Sequence, residues 1–278
     1  MTVSPQHSQR GAPPSATAVD LPILFSRAED AGLNASAPPQ QRWIDGWLVR
    51  YSPGKAQRAR CIQPVAEGCL PLDERLALCA AVYAEAGLDM LARVTPFSRP
   101  TGLDAALAAR GWRAYDDTRV MVLDTLPDAA QALPAGAGVQ LASVRCADYA
   151  QIVGALRGSA PSECAAHAER MAVSPVPYQG WVLRRPDDGQ VLACAQAVPE
   201  AGLVGLYDVH THPQARGQGL AGWLCRQLLV QARAAGVGAA YLQVGADNHA
   251  ARAVYRRLGF VDAYAYHYRT PAAAGAAA

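Results

Sequence analysis

No run in the 278-residue sequence reaches the roughly 18 consecutive apolar residues that a membrane-spanning helix needs, so insertion into a bilayer as a helix is not expected. The opening Met1-Thr2-Val3-Ser4-Pro5-Gln6-His7 has neither the charged nor the apolar stretch of a secretory signal, and a cytoplasmic protein without a membrane partner is expected. Net charge is nearly absent: the formal value is +2, charged residues make up 17% of the chain, and the arginines are scattered rather than gathered into a stripe. Such a surface does not track a phosphate backbone, which argues against a nucleic-acid partner. Missing too is any C-x-x-C pair. The seven cysteines, Cys61, Cys69, Cys79, Cys146, Cys164, Cys194 and Cys225, are odd in number and widely spaced. They suggest neither a zinc ribbon nor a disulfide framework, and reduced thiols are the simpler reading.

An apolar content of 51% provides ample core for a globular protein. The Pro/Ser-rich opening to about residue 17 and the alanine-rich end, 272–278, read as disordered. Between them, small and breaker residues accumulate from Leu126-Pro127 to Gly138, which predicts a linker at 127–138 between units at 18–126 and 139–271. The two halves repeat weakly at an offset of about 148 residues. Ala105 to Trp112, helical in composition and stopped at Gly111, precedes strand-like Arg119-Val120-Met121-Val122-Leu123. Ala253 to Phe260 does the same before Ala263 to Tyr268. The second half reads as strands and helices in alternation, a mixed α/β sheet with helices packed on it. Its firmest element is a helix over 220–235, where Leu220, Leu224 and Leu228 recur every fourth residue beside Trp223.

That helix follows the strand Leu203–Thr211 through a turn, Arg216-Gly217-Gln218-Gly219-Leu220-Ala221. Strand, glycine turn and helix N-terminus together make an anion site, because free N–H groups converge with the positive end of the helix dipole. A plain turn using glycine for its geometry is the bland alternative. The run Gly217, Gly219, Gly222 also fits G-x-G-x-x-G, but only 56 residues follow Gly222 and no acid stands at the tip of the next strand, Gln243-Val244. A Rossmann site is thereby disfavoured. The turn lacks the Gly-Lys-Ser/Thr ending of a P-loop as well.

With Arg216 to Ala221 satisfying Q/R-x-x-G-x-G/A, and Asn248, Ala251, Tyr255, Gly259 and Phe260 following at the family's spacing, the segment 139–271 resembles the GNAT superfamily of N-acetyltransferases. The whole chain looks like a tandem of two such units. The resemblance implies that the backbone of Arg216, Gly217, Gln218, Gly219, Leu220 and Ala221 holds the diphosphate of acetyl-CoA. It implies further that Val209 and Thr211 pair with the pantetheine amides and that Asn248 contacts the CoA arm. Tyr255 would stand near the sulfur and help the departing thiolate; a helix tyrosine buried for packing is the alternative.

The general base is not apparent. Where family members often carry a glutamate or histidine this chain has Gly205, which leaves Asp208 as base or amine-binding residue and Tyr207 or His210 as pocket-lining groups. In an undistorted strand Asp208 and His210 face away from Tyr207, Val209 and Thr211, and a bulge would reverse that. The His210–His212 pair lacks further ligands at a recognisable spacing, so no metal is expected. The first half has Leu107 in place of Tyr255, Pro100 in place of Asn248, and Val65-Ala66-Glu67-Gly68-Cys69-Leu70-Pro71 at the glycine turn. It is therefore expected to bind no CoA and to help build the acceptor pocket. Arg50, Arg58, Arg60, Trp43 and Trp47 either line that pocket or serve as solvated charges and core. The expectation is an acetyl-CoA-dependent N-acetyltransferase of a small-molecule primary amine, as a pseudo-dimeric monomer or a homodimer. A protein amine as acceptor, or a non-catalytic acyl-CoA-binding module, remain alternatives.

Overall fold

The computed structural model describes residues 22–128 and 138–272. The opening segment, nearly all of the expected linker and the alanine-rich end lie outside the described residues. In the first half, helix α1 (Ile23–Ala35) precedes β1 (Gln41–Ile44), β2 (Trp47–Arg50), β3 (Ile62–Gln63), α2 (Leu72–Ala86), β4 (Ala92–Val94), α3 (Leu103–Ala109) and β5 (Arg113–Leu123). The second half runs β6 (Gln140–Val144), α4 (Cys146–Arg157), α5 (Pro161–Ala172), β7 (Gln179–Arg184), β8 (Val191–Glu200), β9 (Leu203–Thr211), α6 (Leu220–Ala234), β10 (Ala239–Gly245), α7 (His249–Arg257) and β11 (Val261–Thr270). Helices α2 and α6, 15 residues each, start 148 residues apart (220 − 72), so the sequence offset is a structural repeat.

All eleven strands join one sheet in the order β1-β2-β3-β4-β11-β5-β10-β9-β8-β7-β6. Pairing is antiparallel except at β3/β4 and β9/β10. The halves exchange their last strands. Strand β5 runs between β10 and β11, with Leu123 opposite Ala240 and Val122 opposite Val261. Strand β11 in turn lies between β5 and the first half's β4, where Tyr268 faces Arg93. Neither half closes its own sheet, and the two shared strands lie at its centre, each paired on both edges.

On one face of the second half, α6 buries Leu224, Cys225, Leu228 and Leu229 against Leu206, Leu242 and Val244. Each such leucine contributes about 1.5–3 kcal/mol when removed from water. Helix α1 covers the opposite face. Its buried residues Ala28, Ala31, Gly32 and Ala35 follow helical spacing but are small, which brings the backbone close to the sheet. A Cβ on Gly32 would lie 2.8 Å from Gln243 Nε2. Large apolar residues are scarce on that stripe, so its periodicity is faint in the sequence. An element of the first half thus roofs strands β5, β9 and β10, in contact with Val122, Leu203 and Tyr241.

Candidate active site

The parallel pairing of β9 and β10 ends at Leu206 opposite Leu242. Beyond it β9 continues to Thr211 along β8, while β10 continues to Gly245 along β5. The two strands part, and cavities lie on either side of the gap. On the helix side a cleft of about 750 Å³ gathers the end of β9, the glycine turn and one face of α7. Val209, Thr211, Arg216, Gly217, Gly219, Leu220, Ala221, Asn248 and Tyr255 all line it. Gln218 belongs to the same turn but lines a separate cavity with His212 and Trp223.

Gly217 and Gly219 have φ of +80° and +74°, which L side chains rarely adopt, and a Cβ on either would meet nothing within 4 Å. The turn needs glycine for its backbone, and the space before it is open. Gly219 caps α6 with no side-chain hydrogen bond, so the first N–H groups of the helix remain free to receive an anion. The turn therefore fits a diphosphate. Asn248 is the N-cap of α7, its side chain accepting from Ala251 N at 3.1 Å. Tyr255 is 8% exposed, with its ring edge-on to Phe260 at 6.1 Å. Burial, with the neighbouring Cys225, pushes its hydroxyl well above the ordinary phenol range, so it keeps its proton.

The strand is bulged where the sequence required it to be if Asp208 was to join Tyr207. Cys194 pairs with His210 and Gln196 with Tyr207, so β9 carries one residue more than β8, and Asp208 has a φ of +50°. Tyr207 and Asp208 now both face the second cavity, of about 430 Å³, on the other side of the gap. His210, expected beside Tyr207 on the acceptor side, lies across the bulge in the helix-side cleft. Burial, with Arg157 and Arg216 nearby, holds its imidazole below the usual histidine value.

Asp208 is flanked by Arg157 Nη2 at 3.1 Å and His167 Nε2 at 3.2 Å. Burial pushes its carboxyl up, but the hydrogen bonds and charges of these partners outweigh that and hold it well below the usual carboxylate range. An anion so stabilised is a weak base and a good electrostatic anchor. Its pairing stabilises the fold above the ordinary carboxylate value near about 3.9 and fades as pH falls through the lowered folded value. Melting curves of Asp208→Asn and the native protein should therefore differ most at neutral pH and converge in acid. A difference independent of pH would show that the ion pair is not what Asp208 contributes.

Neither His167 on α5 nor Arg157 at the end of α4 belongs to a recognisable motif, and sequence reasoning missed both. At Gly205 a Cβ would sit 2.5 Å from the Tyr207 ring and 2.7 Å from Tyr241, so aromatic rings fill the place of a carboxylate. The hydroxyls of Tyr207 and Tyr241 lie 2.7 Å apart. Of the first-half residues considered for the pocket, Arg58 lines this cavity. Trp47 and Arg50 are buried in the first half, and Trp43 is 65% exposed.

The first half fills its own turn. Asp45 accepts from the N–H groups of Cys69 and Leu70, both at 2.9 Å, and pairs with Arg75 at 2.8 Å. A carboxylate of the protein thus takes the N–H groups that an anion would need ahead of α2.

The family model of the acetyltransferase (GNAT) family matches residues 159–260, which span this gap, the turn and α7. The chain carries a GNAT domain. The chain superposes on a GCN5-related N-acetyltransferase from Kribbella flavida with a TM-score of 0.63 at 19% identity, covering 92% of this chain and 98% of that one. A tandem GNAT protein from the clavulanic acid biosynthesis pathway gives 0.58 at 18% identity over 75% of each chain. A GCN5-related N-acetyltransferase from Sphaerobacter thermophilus gives 0.55 at 17% identity, over 71% of this chain and 66% of that one. These likenesses establish the GNAT fold, in one case a tandem one. No curated protein matches the sequence. Among the described residues no helix is long and apolar enough to cross a membrane.

Proposed function

We propose that the GNAT domain transfers the acetyl group of acetyl-CoA to a primary amine of a small molecule, by direct attack with both substrates bound. The observation that carries this reading is the gap between β9 and β10, with an anion-receptive turn on one side and a cavity lined by charged and tyrosine side chains on the other. Acetyl-CoA would supply the activated acyl group. Arg216 and the N–H groups from Gly217 to Ala221 would hold its diphosphate, the edge of Val209 and Thr211 its pantetheine amides, and Asn248 would border the arm.

Tyr255, kept protonated by burial, is suited to donate to the departing sulfur. Asp208 attracts the incoming ammonium and orients His167, whose imidazole takes the proton that the amine must lose before attack. This reassigns Asp208 from base to anchor. The first half, its turn occupied by Asp45, would bind no CoA and instead contributes α1 and Arg58 to the acceptor side. A small acceptor is favoured because the cavity has a volume of about 430 Å³ and is bounded by residues of both halves of one chain.

Calorimetric titration with acetyl-CoA tests the cofactor assignment. One site per chain at tens of micromolar or tighter, about −6 kcal/mol or more favourable, is expected for the native protein. Gly219→Glu should abolish it, since the substitution strains a backbone at φ of +74° and sets a negative charge where the diphosphate belongs. Equal binding in the variant would remove the turn from the site.

A further inference from the structure

We infer that the acceptor amine carries a carboxylate, and that the Arg58 guanidinium receives it through Nη2. This deepens the acyl-transfer reading and rests on it only for the role of the cavity, not for the ligand's charge. The cavity on the acceptor side is lined by four fixed cations, Lys55, Arg58, Arg157 and Arg170, and three carboxylates, Asp116, Glu163 and Asp208. The carboxylates are already engaged. Glu163 pairs with Lys55 at 2.6 Å, Asp208 with Arg157 and His167, and Asp116 accepts from Gln57 Nε2 at 2.8 Å. Two guanidiniums, Arg58 and Arg170, are left without a carboxylate among the described residues.

Arg58 is the better placed of the two. It projects from the first half into the seam, where Nη1 donates to Gln243 Oε1 at 2.7 Å and to Tyr266 Oη at 3.1 Å. Its carbon centre lies 6.0 Å from the Tyr207 ring. Both side-chain hydrogen bonds leave from Nη1, so the Nε–Nη2 edge has no partner among the described residues, and Nε is buried. A buried donor without an acceptor is unfavourable, and more so when it is charged. Nη2 is not buried in this way, and it is the donor left for a carboxylate in the cavity, a charge-assisted hydrogen bond stronger than a neutral one.

Tyr266, Gln243 and the Tyr207 face hold the guanidinium in place, which fixes the position of Nη2. An amine lacking a carboxylate would leave this cation unpaired, whereas an amine with a carboxylate neutralises it. The amine end is then drawn toward Asp208 at the gap. Recognition at two charged ends discriminates strongly, because a ligand lacking the carboxylate strands the buried guanidinium.

The test compares binding of 4-(aminomethyl)benzoate and benzylamine, two primary amines that differ by one carboxylate, to the native protein, Arg58→Met and Arg58→Lys. Calorimetry in the presence of CoA reads binding without turnover, and circular dichroism confirms that each variant is folded. The carboxylate should improve affinity at least tenfold in the native protein; Arg58→Met should erase that preference and Arg58→Lys restore part of it. Equal affinity for the two amines, tighter binding of benzylamine, binding of neither, or a preference that survives Arg58→Met in the folded protein would each overturn the inference. Failure of acetyl-CoA to bind would sink the acyl-transfer reading and leave the carboxylate preference standing, so the two fail separately.

Discussion

Tyr255→Phe is expected to lower kcat by about 100-fold or more, within the range of proton transfer from a positioned side chain, while leaving acetyl-CoA affinity within about twofold. The hydroxyl makes no hydrogen bond to another described residue, and the ring packs against Phe260. Deleting the oxygen therefore strands no partner and leaves the ring contacts intact, so the melting temperature should hardly move. That separation makes the variant informative. Burial holds the phenol protonated across the working pH range, which suits a donor to a thiolate and unsuits a base. A tyrosine serving only to fill the core would give a variant with native turnover. Rates with saturating amine, measured by thiol release beside calorimetry with acetyl-CoA, distinguish the two outcomes.

Glu29→Ala should destabilise the fold by about 3–5 kcal/mol, the cost of breaking a buried pair from one side, against a total stability of about 5–15 kcal/mol for a typical protein. Glu29 on α1 meets Arg93 on β4 through two bonds, of 2.5 Å and 3.0 Å, and also accepts from Tyr264 on β11 at 2.6 Å. Arg93 is 1% exposed and lies 3.9 Å over the Tyr266 ring. Burial alone would raise the Glu29 carboxyl. The charge and hydrogen bonds of Arg93, with that of Tyr264, overcome this and lower it, so both groups are ionised at neutral pH. Removing the carboxylate leaves a desolvated guanidinium between the halves. The double variant Glu29→Ala/Arg93→Met should lose less than the sum of the single changes, since it leaves no buried charge unpaired. Urea unfolding of all three variants measures this, and strict additivity would mean that the pair is not coupled.

Local features of the site were legible. The glycine turn, the helix behind it and the 148-residue offset each follow from composition and spacing over a dozen residues. The bulge at Asp208 was foreseeable only as a condition: an unbulged β9 cannot turn Asp208 and Tyr207 to one side. Partners were not legible. Which strand lies beside β5 is decided by pairing across more than a hundred residues, and nothing in Arg113 to Leu123 marks its neighbours as β10 and β11. His167, Arg157 and Arg58 gain their roles from what they face in space. No motif marks Asp45, yet it sits on the N–H groups ahead of α2.

Because each half lends its final strand to the other, the two cannot be inherited or engineered as independent modules. A chain cut at the seam yields a first piece whose β5 lacks both neighbours and a second in which β10 and β11 stand apart with bare edges. Unpaired edges of this kind recruit other chains. Strand β11 follows β5 by more than a hundred residues, so β4 and β5 must wait through the synthesis of everything between before the centre of the sheet can close. Assembly is thereby tied to contacts distant in sequence, which slows folding. A first half whose own turn is occupied by Asp45 still completes the sheet of the second with β5.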